Sequence, residues 1–247
     1  MTTTSNGTRP VFRPAAERFH SQLDWLDSWH SFSFSSHYDP AWMGFGPLRV
    51  INDDTIAAGR GFGMHPHSDM EIITVMVDGE LSHRDSMGNG EVLHAGEVQR
   101  MSAGTGVVHS EINQSDRPCR LLQVWIEPSH RGIPPAYGQQ AFSIGDDWIL
   151  LIDPDQQGGA MAIDRPLRLW RAQPGAGQRL ELPRIAGRRY WLQMIDGAVR
   201  LENSAAASAP PSLERGDGYG FADDAGGTPS TLSALDQGAD LLLFELD

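Results

Sequence analysis

An all-β fold built from a duplicated β domain is predicted by three observations. The 247 residues include 27 Gly and 16 Pro, beside a hydrophobic fraction of 40% that can fill a core. That balance suits short strands joined by tight turns. Apolar runs such as "MEIITVMV", "WILLI" and "LLLF" are of strand length and too short to span a bilayer. Finally, "VMVDGEL" (75–81) is echoed by "QMIDGAV" (193–199), and "VLHAGEVQRM" (92–101) by "SLERGDGYGF" (212–221). Two echoes in the same order, at nearly one offset, point to a duplicated domain.

Taken in order, "AAERFHSQLDWLDSWH" (15–30) spaces its apolar residues close to a helical period and predicts a short N-terminal helical segment. From about residue 47 strands take over, divided by Gly, Pro, Asn and Asp. "MEIITVMV" stops at "DGE"; "GEVLHAGEVQRMSAGTGVVHSEI" breaks at "HAGE" and "SAGTG"; "RLLQVWIEP" closes on Pro128. "HRGIPPAYGQQ" (130–140) carries two Pro and two Gly and reads as a linker. The domains are therefore placed at 1–132 and 133–247. "WILLID", "RYWLQMID", "AVRLE" and "DLLLFELD" supply strands to the second domain, and "NSAAASAPPS" (203–212) a low-complexity surface loop.

The formal net charge is −13, and all 19 basic residues are Arg. With no Lys, Schiff-base chemistry is excluded, and an acidic surface argues against direct nucleic-acid binding. The one cysteine, Cys119, excludes an intramolecular disulfide and reads as a small buried hydrophobe. "MTTTSNGTRPVFRP" lacks the apolar region of a secretory signal. A cytoplasmic, membrane-free monomer is the expectation.

Chemistry concentrates in two pairs. His65 and His67 in "GMHPHSDMEIIT" are one residue apart, as are His109 and Glu111 in "VVHSEIN". On a strand, i and i+2 share a face, so two strands inside a barrel can bring four N and O donors to one point. Three neutral imidazoles and a carboxylate suit Fe, Mn, Co, Ni, Cu or Zn. Glu71, four residues after His67, has matching parity and competes with Glu111 for the carboxylate position. His20, His30 and His37 read as surface or packing residues, His83 and His94 as turn-proximal, and His130 as the start of the linker. All nine histidines fall at or before His130, so only the first domain can hold a histidine site.

These residues stand in stretches that resemble the pirin family, a branch of the cupin superfamily: "WHSFSFSSHYDPAWMGFGPLRVINDD", "GFGMHPHSDMEIITVMVDGELSHRDSMGN" and "VQRMSAGTGVVHSEIN". The match is close over roughly residues 29 to 140 and weaker beyond. Gly59, His65, His67 and Glu71, then Gly96, Gly104, His109 and Asn113, also resemble the two generic cupin signatures, with Ser102 where proline is usual. The resemblance implies an all-β bicupin with metal in the N-terminal barrel only. It carries the metal ligands onto His65, His67, His109 and Glu111. One divalent transition metal is implied, Fe(II) being favoured over Cu, Ni, Mn, Co or Zn. Ser68 stands where the family commonly has Arg, which alters charge near the pocket mouth.

Several bacterial pirins are similar to quercetin 2,3-dioxygenases, and others to metal-dependent regulators that bind protein partners. The expected function is a metal-dependent dioxygenase cleaving a flavonol such as quercetin with O2 and releasing carbon monoxide. Glu111 is the expected catalytic proton acceptor, and some pocket lining is expected from among Met64, Met101, Val107 and Trp125, each of which taken singly reads as plain core. The alternative is a non-enzymatic regulatory protein with a protein partner.

Overall fold

The computed structural model describes residues 10–202, 210, 212–223 and 228–247. Most of the expected 203–212 loop lies outside them, as do residues 1–9. The chain opens with β1 (Val11–Arg13), then β2 (Phe19–Gln22), β3 (Leu26–His30), β4 (Leu48–Ile56), β5 (Gly61–His67) and β6 (Glu71–Asp78). It continues through β7 (Glu80–Asp85), β8 (Gly90–His94), β9 (Glu97–Ser102), β10 (Val107–Ile112), β11 (Cys119–Ile126) and β12 (Ala136–Ala141). The remaining strands are β13 (Ile149–Ile152), β14 (Arg168–Ala172), β15 (Arg179–Glu181), β16 (Arg189–Glu202), β17 (Leu213–Glu214), β18 (Gly218–Ala222) and β19 (Thr231–Leu246).

The fold is all-β, with two compact units. One comprises residues 18–143 and 153–166; the other comprises 1–17, 144–152 and 167–247. In the first, a seven-stranded antiparallel sheet runs β12-β9-β6-β11-β4-β3-β2 and a four-stranded one β5-β10-β7-β8. Apolar residues of both sheets meet in one cluster, with Leu26, Ile56, Met76, Cys119 and Leu121 from the larger sheet and Leu81 and Leu93 from the smaller. Cys119 is thus a core residue, and burial pushes its thiol up to about 11. The second unit is an eight-stranded sheet around the β16–β19 pair, with Tyr190, Leu192, Tyr219, Phe221 and Leu243 in its core. No helix among the described residues is long and apolar enough to cross a membrane.

The echo in the sequence corresponds to a repeated turn. Gly96 donates its N–H to Met76 O at 3.2 Å, and Gly216 donates to Met194 O at 3.2 Å. Gly79 and Gly197, and Gly96 and Gly216, all have positive φ, from 70° to 86°, a conformation that glycine adopts without steric cost.

Two expectations need correcting. The N-terminal helical segment is a single 3₁₀ turn (Ala15–Glu17) followed by the β2–β3 hairpin, in register Phe19↔His30 to Gln22↔Asp27. Within β3, Leu26, Ser28 and His30 are buried while Asp27 and Trp29 are only half-buried, so the operative period is two. Leu23, which continued the helical pattern, sits at the hairpin turn and is 55% exposed. Pairing with β4 overrides the local propensity. Likewise, residues 136–140 of the expected linker belong to β12, paired with β9 from Ala136↔Ser102 to Ala141↔Glu97.

One glycine between β9 and β10 tests this packing. Gly104 has φ +45°, and a Cβ added there would collide with the Ile133 carbonyl oxygen. Gly104→Ala is expected to destabilise the protein by about 1–3 kcal/mol, read as a lowered denaturant midpoint with unchanged m value.

Candidate metal centre

The site forms where β10 lies between β5 and β7. His109 sits opposite His65 on one side and Asp85 on the other; Glu111 sits opposite Phe62 and His83. The register between β5 and β10 shifts between these two rows, because β5 spends three residues where β10 spends two. This bulge turns both His65 and Phe62 toward the interior, which unbroken alternation would forbid. Met64, in the bulge, is 60% exposed. The Gly63 carbonyl accepts a hydrogen bond from His65 Nδ1 at 2.7 Å, leaving Nε2 as the free nitrogen.

His65, His67 and His109 converge, with ring centroids 4.4–4.8 Å apart and candidate ligand atoms all within 4.8 Å of one another. His109 is fully buried, and among the described residues neither of its ring nitrogens has a hydrogen-bond partner. A buried donor or acceptor without a partner is costly, and a metal ion in the triad would relieve that cost at His109. Burial, reinforced by the His65 charge, lowers the His67 imidazole to about 4. Burial followed by repulsion from His65, His67 and His83 lowers that of His109 to about 3. Both are therefore neutral, the form that binds metal. The donor set fits a divalent transition metal.

Glu111 belongs to a second, overlapping group with His83 and His109. Its buried carboxyl is pushed up by desolvation, an effect partly offset by His83, His65, Gln123 and Thr74. Gln123 Nε2 donates to it at 3.2 Å, and the Thr74 hydroxyl lies 3.5 Å away. These partners belong to a polar row crossing the larger sheet in register: His30, Asn52, Gln123, Thr74 and Gln99.

Glu71 is not grouped with the histidines. It begins β6, after a turn in which Asp69 has φ +49°, so the parity counted from His67 does not carry across. Thr74 faces Glu111, and Glu71 falls on the opposite face of β6 by strand alternation. There its carboxylate accepts a hydrogen bond from Ser102 at 2.8 Å. Burial lifts it to about 7, against the opposing effects of Ser102 and Arg100.

His83 was passed over in the sequence as turn-proximal, yet it is only 1% exposed. Its Nε2 is 3.1 Å from Asp85 Oδ2 and its ring stacks on Tyr137 at 4.6 Å. Burial pushes the Asp85 carboxyl up, but hydrogen bonds from Asn89, His83 and Met87 outweigh it and hold the group below its usual range. The His83-x-Asp85 spacing repeats the i, i+2 rule and was the available signal. His30 was also missed: it is buried in the polar row. His20 stacks on Trp29 at 4.0 Å, while His94 and His130 are exposed beside Glu80 and Asp164.

A cavity of about 430 Å³ opens from the triad, with His65, His67, Glu111 and Phe62 in its wall beside Trp25, Phe34, Leu121 and Trp125. Of the four candidate lining residues, Trp125 lines it. Met101 and Val107 instead pack in an adjoining core cluster, and Met64 is turned outward by the bulge.

Residues 12–126 match the Pirin domain and residues 150–246 the Quercetinase C-terminal cupin domain. The chain is 42% identical to a quercetin 2,3-dioxygenase of Escherichia coli (strain K12), over 95% of this chain and 97% of that protein. The chain belongs to the pirin family. Among solved structures, this pirin is similar to the bacterial pirin YhhW from Escherichia coli in complex with nickel(II), with TM-score 0.86, 40% identity and coverage of 96% and 98% of the two chains. A quercetin 2,3-dioxygenase from Acinetobacter baumannii shares the fold at TM-score 0.76 and 18% identity, covering 97% of this chain and 79% of that one. A pirin-like protein of Caulobacter vibrioides is 51% identical over 49% of this chain and 53% of its own length.

The lowered histidines have a direct readout. In metal-free protein, His67 and His109 are expected to stay neutral at pH 5.5, a full unit below the ordinary histidine value. Long-range ¹H–¹⁵N correlation across a pH titration would report this; imidazolium signals from either residue at that pH would contradict the desolvated triad.

Proposed function

We propose that this pirin is a metal-dependent dioxygenase that cleaves a flavonol such as quercetin with O2, releasing carbon monoxide. The observation that carries the reading is the buried histidine triad, with its orphaned His109 nitrogens, at the wall of a largely apolar cavity. The homologous quercetin 2,3-dioxygenase supports the choice of substrate. His65, His67 and His109, with Glu111 as the carboxylate, are the residues we assign to hold one divalent metal, Fe(II) by preference. A bound metal supplies Lewis acidity, which makes a flavonol hydroxyl easier to ionise.

Glu111 accepts the proton that the flavonol 3-hydroxyl gives up. Desolvation raises the proton affinity of its buried carboxyl, which strengthens it as a base. Gln123 and Thr74 hold the carboxylate in place, and His83 stands beside it as a further polar neighbour. Trp25, Phe34, Phe62 and Trp125 provide aromatic surface for flat rings and keep water from the electron-rich ring that meets O2.

Protein reconstituted separately with Fe(II), Mn(II), Co(II), Ni(II) and Cu(II) is expected to release carbon monoxide from quercetin in air. His65→Ala is expected to lose metal and at least 100-fold in turnover, on the order of what loss of a principal catalytic element costs. No carbon monoxide from any well-occupied form would overturn the reading in favour of a partner-binding regulatory protein. The carboxylate assignment has its own check in metal content. Glu111→Gln should lower metal affinity and Glu71→Gln should not; the reverse pattern would exchange their roles.

A further inference from the structure

The cavity has a second polar pole away from the triad. On its β3–β4 side, Ser28 is paired with Asp54 and His30 with Asn52. The four side chains form a two-by-two polar block on one sheet face, with Leu26–Ile56 as the apolar pair on one flank. All four are buried and line the cavity. A polar block facing a largely apolar chamber is expensive unless every group is satisfied.

Its internal bonds leave two groups over. The Ser28 hydroxyl donates to Asp54 Oδ1. His30 Nδ1–H donates to Asn52 Oδ1 at 2.8 Å, and His30 Nε2 accepts from the Ser21 hydroxyl at 2.9 Å. Ser21 in turn is 3.0 Å from His37 Nε2, so both ring nitrogens of His30 are committed. Among the described residues, no hydrogen bond reaches Asp54 Oδ2 or Asn52 Nδ2. Neither atom is sealed in the protein interior; both belong to residues facing the cavity. One is an acceptor and the other a donor, on side chains that start about 7 Å apart along a single strand face. One hydroxyl oxygen spans about 5.5 Å between a donor and an acceptor, so it bridges the two where their tips lean together, donating to the carboxylate and accepting from the amide.

We propose that Asp54 and Asn52 form a two-point grip for a phenolic hydroxyl of a flat aromatic ligand whose other end meets the histidine triad. This rests on the flavonol reading above and deepens it: the site selects ring systems that carry a hydroxyl remote from the group presented to the metal. The aromatic walls hold the rings between the two poles, and the exposed lining residues Leu23, Ser35 and Ser36 open the chamber to solvent beside the grip. Burial, reinforced by Asp53, Glu111 and Asp27 and opposed by Ser28, brings the Asp54 carboxyl up to about 7. It is as the ionised acceptor that Asp54 takes the hydrogen bond of the phenolic hydroxyl.

The test is equilibrium binding under anaerobic conditions to metal-loaded protein, with quercetin and with 3-hydroxyflavone. Both present the same 3-hydroxy-4-keto edge; only quercetin carries further hydroxyls. Asp54→Asn keeps an acceptor for Ser28 and turns a donor toward the cavity. It is expected to weaken quercetin binding roughly tenfold, the worth of one well-placed hydrogen bond, and to leave 3-hydroxyflavone within about twofold. Asn52→Ser, which retains an oxygen for His30 Nδ1–H, should show the same selectivity. Metal content equal to wild type certifies that the centre and fold are intact. Equal weakening of both ligands, or of neither, would overturn the grip and leave the flavonol reading standing. Failure of the metal-loaded wild type to bind either flavonol would overturn both.

Discussion

A carboxylate that is buried beside three imidazoles must be supplied with hydrogen bonds by the protein, and for Glu111 these come from the opposite sheet. Gln123 and Thr74 reach it because β11 and β6 are in register at those two residues. The same row continues to Asn52 and His30 on one side and Gln99 on the other. In β6 and β11 the polar member has apolar residues above and below it on the same face, Ile72 and Met76 around Thr74 and Leu121 and Trp125 around Gln123. A slip of one residue in any strand would replace an amide with a side chain of the wrong face. The polar row therefore pins five strands to one another and also shapes the interior that the centre occupies.

The arrangement gives the interior a graded character. The smaller sheet contributes the titratable cluster of His65, His67, His83, Asp85, His109 and Glu111. The larger sheet contributes neutral amides and hydroxyls that orient without adding charge. Ionic charge on that sheet is largely sent to the opposite face, where Asp53 meets Arg120 at 2.8 Å and Glu71 meets Ser102. Asp54 is the exception, and it points into the same chamber. This separation suits a site that handles a proton and an apolar ring system together, since competing charges near the rings would favour water.

Much of this was legible because it is local. Glycine turns at Gly79, Gly96, Gly197 and Gly216 announce a repeated hairpin, and the i, i+2 rule puts His65 with His67 and His109 with Glu111. What was not legible depends on which strands become neighbours. His83 joins the centre only because β7 pairs with β10. His30 joins the chamber because β3 is a strand, which its helical spacing of apolar residues concealed. Glu71 shared a count with His67 but not a strand, and the Asp69 turn broke the phase between them. Met64 looked like a pocket residue until the bulge turned it to solvent.

That bulge has a consequence for how the protein tolerates change. It is an insertion in β5, a matter of chain length, and no exchange of one side chain for another adds or removes it. Point substitutions across residues 62–67 therefore leave the alignment of His65 with His109 and of Phe62 with Glu111 in place, even where they weaken the strand, whereas a Cβ at Gly61 would collide with the Glu111 carbonyl oxygen. A deletion of one residue would do the opposite: every side chain would remain available, but one of the two rows would lose its partner. The centre is thus buffered against the commonest kind of mutation and brittle toward a rarer one. Length polymorphism in this short strand is where a different arrangement of the same residues would begin.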